Sequence, residues 1–311
     1  MPEATGRLSG GTRLGATGRL RVVPNGLGGL AGTGMDLGRL MFVVGAFDGL
    51  HRGHRYLLAC LRDAAAAQHA RPAVITFDHH PDEVLVGAAP PVLCDPDERL
   101  VRFEQAGVDV VVIQHFDEAV RMTPYDEFVG AIARQVELAG FLMTPDAAFG
   151  HDRGGTPDAL AGLGRRLGFE VRVVEPLVID DRPVRSSEIR ADIAAGRLVA
   201  ARRLLGRSLA VTGRLEPSGI ASGRAAGRTK PEWGDRGPWL VGFDLPVALP
   251  PDGRYRAAAE VAWAPGIPRS PNPVPALAEA NPDGAVRLEL LGRRPAPPGD
   301  RVRIRLIGPA S

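Results

Sequence analysis

Two imidazoles, His51 and His54, stand three residues apart in the string Val43-Val44-Gly45-Ala46-Phe47-Asp48-Gly49-Leu50-His51-Arg52-Gly53-His54. The string reads as the end of an apolar strand, a glycine-punctuated turn, and a helix starting near His54. A helix N-terminus presents unpaired N–H groups and a partial positive charge, which suits a phosphate. Two imidazoles beside it can neutralise charge that develops on a phosphoryl group during transfer, and Gly53 between them lets a ligand approach the backbone closely. Taken alone, His-x-x-His fits a metal-ligand pair or a surface turn equally well.

Three further segments carry reactive residue types. Val184-Arg185-Ser186-Ser187-Glu188-Ile189-Arg190 places two hydroxyls and an arginine at a helix start, an anion cradle in combination with the N-terminal N–H groups and otherwise a capped helix. Ile75-Thr76-Phe77-Asp78-His79-His80-Pro81 follows an apolar run, and ligands of open α/β sheets collect at the carboxyl ends of strands. Asp146-Ala147-Ala148-Phe149-Gly150-His151-Asp152-Arg153-Gly154-Gly155 is a glycine-bearing loop. Lys230 is the only lysine, which excludes a Walker A phosphate loop and leaves one candidate for Schiff-base chemistry. Phosphate binding must then rest on backbone, His, Ser and Arg.

The elements that position these residues alternate between strand and helix, as in an α/β domain with a parallel sheet. Strands are predicted over Leu40–Val44, Ala73–Phe77, Val108–Gln114, Phe141–Thr144 and Glu170–Val174. Helices are predicted from His54 to Ala67, after Asp95-Pro96-Asp97-Glu98, from Thr123-Pro124 to about Leu138, and after Thr156-Pro157-Asp158. Two more run from Ser187 to Ala195 and over Leu198–Leu205; the Asp/Thr-Pro openings supply an N-cap and a first-turn proline. After Gly206 helical periodicity stops. Short strands at Leu209–Leu215, Leu240–Phe243, Tyr255–Ala262, Ala285–Leu291 and Val302–Ile307 are separated by Pro-Pro-Asp-Gly (250–253), Asn-Pro-Asp-Gly (281–284) and Pro-Pro-Gly-Asp (297–300), the pattern of a small all-β barrel. Residues 1–38, rich in Gly, Thr and Arg, are expected to be poorly ordered, with Met35 an alternative start.

At 311 residues, with 44% hydrophobic and 24% charged side chains, the chain fits two soluble domains. No apolar run of about 18 residues exists, so neither a membrane span nor a signal peptide is expected. Cys60 and Cys94 are too few for a disulfide framework, and a net charge of +2 does not point to nucleic acid. The expected location is the cytoplasm.

The twelve-residue string resembles the first signature of the nucleotidyltransferase superfamily, in the form found in bacterial FAD synthetases (bifunctional riboflavin kinase and FMN adenylyltransferase). Ile75 to Pro81 is similar to the family's Thr-Phe-Asp-Pro-His-Pro segment, with His79 in place of its first proline. Asp146 to Gly150 resembles its Gly-x-Asp/Asn-Phe-x-Phe-Gly loop, with Thr144 for the glycine and Ala147 for an aromatic. Ser186-Ser187 through Arg190 resembles the Ile-Ser-Ser-Thr-x-x-Arg signature, with Arg185 at the first serine. Arg99-Leu100, Gly107-Val108-Asp109 and Phe116-Asp117 continue the match.

This resemblance implies a Rossmann-like domain over 39–205 followed by a riboflavin-kinase-like barrel over 206–311. It implies adenylyl transfer from ATP to FMN, giving FAD and pyrophosphate, with Mg²⁺ accompanying ATP and held mainly by phosphates and water. His54 and His51 would act on the transferring phosphates. Gly45, Phe47, Asp48, Gly49, Asp146, Ser186, Ser187 and Arg190 would bind the nucleotide, and His80, Pro81 and Phe149 would face the acceptor. In the barrel, Gly223-Arg224 and Leu249 to Tyr255 resemble the kinase. Thr229-Lys230-Pro231-Glu232 stands near where its Pro-Thr-Ala-Asn motif belongs, and Arg287 stands near the place of its catalytic glutamate, with Glu289 two residues on. Kinase activity is therefore expected to be lost. Three other readings stay open: a different phosphorylated acceptor, a bifunctional enzyme with a divergent kinase, and a non-catalytic flavin- or nucleotide-binding regulator.

Overall fold

The computed structural model describes residues 13–14, 19–30, 37–217, 239–261, 273–281, 284–292 and 300–310. The kinase-motif segment at Gly223-Arg224 and 229–232, Met35 and most of the 297–300 turn lie outside the described residues.

Contacts divide the chain into two compact units. One contains the residues up to Phe47, Gly53–Pro90 and Leu100–Val178; the other contains Asp48–Arg52, Pro91–Arg99 and the residues from Ile179 onward.

The first unit is built on a seven-stranded sheet. Its strands are β1 (Arg13–Leu14), β2 (Arg21–Val23), β3 (Arg39–Val44), β4 (Arg71–Phe77), β5 (Val110–Gln114), β6 (Glu137–Met143) and β7 (Glu170–Val173), in the order β1-β2-β5-β4-β3-β6-β7. All neighbouring pairs are parallel except β1 with β2. Strands covered on both faces read as continuous apolar runs, and Leu40, Met41 and Phe42 are each fully buried, as are Ala73, Val74 and Ile75. Helices connect the strands: α1 (Arg52–Ala67), α2 (Asp82–Leu85), α3 (Pro96–Gln105), α4 (Glu118–Met122), α5 (Tyr125–Ala133) and α6 (Pro157–Leu167). The caps work as their residue types dictate. Asp95 accepts from the N–H groups of Asp97 and Glu98 at the start of α3, and the Thr156 hydroxyl accepts from Ala159 N–H at the start of α6.

Short strands β8 (Val178–Ile179) and β9 (Arg182–Pro183) precede α7 (Ser186–Ala194) and α8 (Leu198–Leu205). The remainder of the second unit is a closed antiparallel barrel of six strands. These are β10 (Ala210–Pro217), β11 (Trp239–Gly242), β12 (Gly253–Val261), β13 (Val274–Ala280), β14 (Val286–Leu290) and β15 (Arg301–Pro309), ordered β10-β11-β14-β13-β12-β15. Alternate residues of β13 and β14 are buried, the pattern of a filled barrel interior. Arg303, buried between Glu98 and Glu260, donates to both, so the charges inside the unit are paired.

The Rossmann-like parallel sheet and the following barrel are the expected fold. Three local expectations are corrected. The segment expected to be poorly ordered, 1–38, contributes β2, which pairs in parallel with β5, and Leu20 is fully buried. Two strand-forming valines beside an uncovered sheet edge outweigh the glycines around them. The helix expected to run to Leu138 stops at Ala133, because Glu137 and Leu138 are already paired with Arg39 and Leu40 of β3. Strand β13 is an addition to the expected set: Pro275 and the Ala-Leu-Ala-Glu-Ala run argue against a strand locally, and pairing with β12 and β14 overrides them.

Truncating Leu20 tests whether the early segment is part of the core. Leu20→Ala is expected to cost about 2–5 kcal/mol in urea-induced unfolding; a loss under about 0.5 kcal/mol, typical of a surface change, would place Leu20 outside the folded core.

Candidate active site

The connections after β3 and β6 leave in opposite directions, β3 to β4 on one side and β6 to β7 on the other, so β3 and β6 form a topological switch point. Ligands of open α/β sheets bind in the crevice outside the carboxyl ends of such strands. A cleft of about 870 Å³ lies there, lined by Val43 to Ala46 at the end of β3 and by Phe141 to Thr144 at the end of β6. That is within the range of small-molecule sites.

Five of the expected site residues line this cleft: Gly45, His80, Pro81, Asp146 and Phe149. Gly45 donates its N–H to the Ile75 carbonyl, and a Cβ on it would press on the Phe47 ring at 3.2 Å. The buried Thr76 hydroxyl donates to the Ala46 carbonyl and fixes the same corner. His80 Nδ1 accepts from Asp82 N–H at 3.2 Å, so its ring is oriented by the start of α2. Phe149 packs on Phe128 and Phe141 with ring centroids 5.4 and 5.7 Å apart. With Phe77 and Phe116 it gives the cleft an aromatic lining suited to a flat ring system. The loop 150–153 is held in a demanding backbone. Gly150 has φ +77° with Tyr125 N only 2.6 Å from where a Cβ would be, and Asp152 and Arg153 are also left-handed. Asp146 is exposed; Thr144 Oγ1 donates to its carboxylate, and Arg153 donates to its carbonyl.

Phe47 and His54 pair with each other in the first unit, ring centroids 5.1 Å apart, and Phe103 meets Phe47 edge to face at 5.5 Å. The Phe47 ring is buried, so it is a wall behind His54 rather than an exposed contact surface. Its φ of 52° is left-handed for a bulky residue, strain of the kind that collects at functional turns.

The second unit gathers Asp48, Gly49, His51, Ser186, Ser187 and Arg190. Asp48 is buried, and its carboxylate accepts from Leu93 N–H at 2.9 and 3.0 Å and from Arg190 Nη2 at 2.5 Å. Ser186 Oγ donates to the Asp48 carbonyl at 3.1 Å, and Arg190 Nε donates to the Pro91 carbonyl at 2.8 Å. Ser187 is exposed in the first turn of α7, beside that helix's N–H groups. Gly49 has φ +81°, and an added Cβ would sit 2.9 Å from Leu93 Cβ. His51 is buried; that burial, with the charges of Arg207 and Arg190 adding to it, pushes its imidazole down to about 3. Near neutral pH His51 is therefore a neutral hydrogen-bonding group, and arginines carry the positive charge around it. Arg207, next to the helix-ending Gly206, had no sequence signal beyond its type.

Residues 35–188 match the family model described as FAD synthetase. Through this segment the chain belongs to the FAD synthetase family. A bifunctional riboflavin kinase/FMN adenylyltransferase from Pseudomonas fluorescens is 31% identical over 173 residues, 55% of this chain and 56% of that protein. One of the same description from Haemophilus influenzae is 30% identical over 188 residues, 60% of this chain and 59% of that protein. The chain thus spans less than two thirds of the length of these FAD synthetase relatives. A solved structure titled as a macrolide-efflux protein from Streptococcus pneumoniae shares the fold, with TM-score 0.72, 20% identity, and coverage of 94% of this chain and 92% of that one.

The depressed His51 value has a pH consequence. The folded state refuses a proton that the unfolded chain takes up below about 6.5, so this group's contribution is complete above that value and is lost as pH falls towards about 3. The expected slope is about 1.4 kcal/mol per pH unit. His51→Gln should flatten it in denaturation midpoints measured from pH 6.5 downward; an unchanged slope would mean that His51 takes up a proton in the folded protein.

Proposed function

We propose that the chain is an ATP:FMN adenylyltransferase: the phosphate of FMN attacks the α-phosphorus of ATP, an O–P bond forms, and pyrophosphate leaves. The observation that carries this is the cleft at the β3/β6 switch point, where the turn of the first signature meets an aromatic wall of Phe77, Phe116 and Phe149. No protein nucleophile is required, so catalysis rests on positioning and charge stabilisation.

Roles follow the motifs. His54, fixed against Phe47, acts on the α-phosphate, where charge grows. His51, neutral in the free protein, supports the same phosphates as a hydrogen-bonding group. Ser186, Ser187 and Arg190 hold the leaving β- and γ-phosphates; Gly45, Gly49 and the backbone of Phe47 let the nucleotide lie against the turn. Asp48 serves that turn from behind, because its carboxylate is committed to Leu93 and Arg190. Asp146 helps bind the nucleotide, and His80, Pro81 and Phe149 receive the flavin side.

Mg²⁺ enters with ATP. Asp48 is not an open ligand, and the carboxylates on the cleft wall, Asp82, Asp146 and Asp152, are half-buried or exposed. That donor set fits an ion held by phosphate oxygens and water, as Mg²⁺ prefers. Its chemistry is to offset the phosphate charge.

In the barrel, Arg287 and Glu289 share the outward face of β14, and Glu289 lies 3.3 Å from Arg254. Together with Thr229-Lys230-Pro231-Glu232 in place of the family's metal and phosphate motif, this favours loss of riboflavin kinase activity. His79, Thr144 and Ala147 depart from the family pattern on the acceptor side and favour, as a second reading, another small phosphorylated acceptor.

Incubating the full chain with Mg-ATP and either FMN or riboflavin, with products identified by mass, is expected to give FAD and pyrophosphate from FMN and no FMN from riboflavin. His54→Ala should lower kcat by roughly 10²–10³, the scale for removing one transition-state donor, with an unchanged circular dichroism spectrum. Unchanged turnover in that variant would remove His54 from the chemistry, and no pyrophosphate release from ATP with FMN in the parent would refute the FMN reading.

A further inference from the structure

Among the described residues, one group of three side chains brings metal-ligating atoms together: Asp78, His79 and His115, whose ligand atoms all lie within 4.8 Å of one another. Asp78 is the first residue after β4 and His115 the first after β5. These parallel neighbours deliver the two side by side, and Asp78 N–H donates to the Gln114 carbonyl at 3.2 Å. Gln114 braces the pair: its Nε2 donates to the His115 carbonyl and its Oε1 accepts from Leu27 N–H, both at 3.0 Å. Each Asp78 oxygen faces one ring, Oδ2 at 2.7 Å from His115 Nδ1 and Oδ1 at 3.2 Å from His79 Nδ1. The two imidazoles stand edge to face with centroids 5.8 Å apart, and both are exposed.

We propose that Asp78, His79 and His115 bind a divalent transition-metal ion of the Zn²⁺ type at the rim of the cleft. Two ring nitrogens and one carboxylate oxygen suit Zn²⁺, Ni²⁺ or Cu²⁺, whereas Mg²⁺ and Ca²⁺ take oxygen ligands. Around a tetrahedral ion with bonds of about 2.0–2.1 Å, ligand atoms sit roughly 3.4 Å apart. The carboxylate therefore needs only a small shift to trade its contacts with the rings for the ion, and the exposed rings are free to close the widest gap. Three protein ligands facing solvent leave a coordination position for water.

The adjoining residues give the site a consequence. Phe77 and Phe116, each next to a ligand in sequence, line the cleft and meet edge to face with centroids 5.2 Å apart. His80 and Pro81, directly after His79, line it too. An ion bridging His79 to His115 would tie the loop after β4 to the loop after β5 and stiffen that wall. All of these side chains belong to the first unit, and ion binding there does not depend on the reaction proposed above.

The test uses the full chain, stripped with EDTA and dialysed, then titrated with Zn²⁺ by calorimetry and with Co²⁺ by visible absorption. One equivalent is expected to bind saturably, with Co²⁺ d–d bands. His79→Ala and His115→Ala should each weaken binding at least roughly tenfold, since even outer-sphere partners are worth about 10–100-fold, and should abolish those bands. His69→Ala, at an exposed histidine outside the group, should leave both unchanged. Melting of each variant in EDTA checks folding, and His→Gln replaces any alanine variant that does not fold. Absence of saturable binding, or binding that survives both histidine substitutions, would overturn the proposal and leave the group as an Asp–His hydrogen-bonded cluster.

Discussion

A single buried carboxylate, Asp48, sets the geometry of half the candidate site. A charge removed from water must be paired and hydrogen-bonded to be tolerated. Asp48 meets that demand with one backbone N–H, from Leu93, and one guanidinium, from Arg190, while its own carbonyl receives the Ser186 hydroxyl. Arg190 closes the arrangement on the Pro91 carbonyl. Three stretches of chain far apart in sequence are thereby fixed together: the glycine turn, the segment at Pro91–Leu93 and the start of α7. Their mutual position cannot drift without exposing or orphaning the charge. Arg190 is consequently a partly committed cation, and Arg207, acting on the same buried imidazole, belongs with it in any account of charge around His51.

The first unit rests on a different constraint, the reversal of connection direction between β3 and β6. Two strand ends with no crossover covering them leave a crevice, and the residues that fill its walls are aromatic on one side and backbone-rich at Gly45–Ala46 on the other. A flat apolar group and a polar, close-fitting one can share such a crevice. Among the described residues, four of the seven non-glycine positions with positive φ fall in these segments, Phe47 and Leu50 in the first motif and Asp152 and Arg153 in the loop after Gly150.

Much of this was legible in the residues. Strong runs such as Val110–Gln114 and capped starts such as Thr156-Pro157 act locally, so their strands and helices could be read directly. The four motifs showed which side chains to watch, and Gly45, His80, Pro81, Asp146 and Phe149 do line one cleft. What sequence could not supply was anything decided by distant partners. Arg21–Val23 looks like part of a glycine-rich leader until β5 offers it an edge, and β13 carries no local strand signal until β12 and β14 flank it. The same holds for chemistry: His51 and His54 read as equivalent imidazoles, yet burial beside two arginines strips the first of its charge, and Asp48 reads as a ligand contact while its carboxylate is spent on the protein itself.

The discontinuous make-up of the second unit has a consequence for how the chain is made. Asp48 and Arg190 are 142 residues apart, and Arg301 reaches Asp95 across 206. At translation speeds of about 5–20 residues per second, Asp48 is added to the chain roughly 7–30 s before its guanidinium exists. The acids at Asp95, Asp97 and Glu98 wait longer still for the arginines of β15, the last strand of the barrel. Such long-range closures are slow steps in folding. The glycine turn therefore waits for the start of α7, and the acids at the start of α3 wait for the closing strand of the barrel, so the unit is completed in two stages.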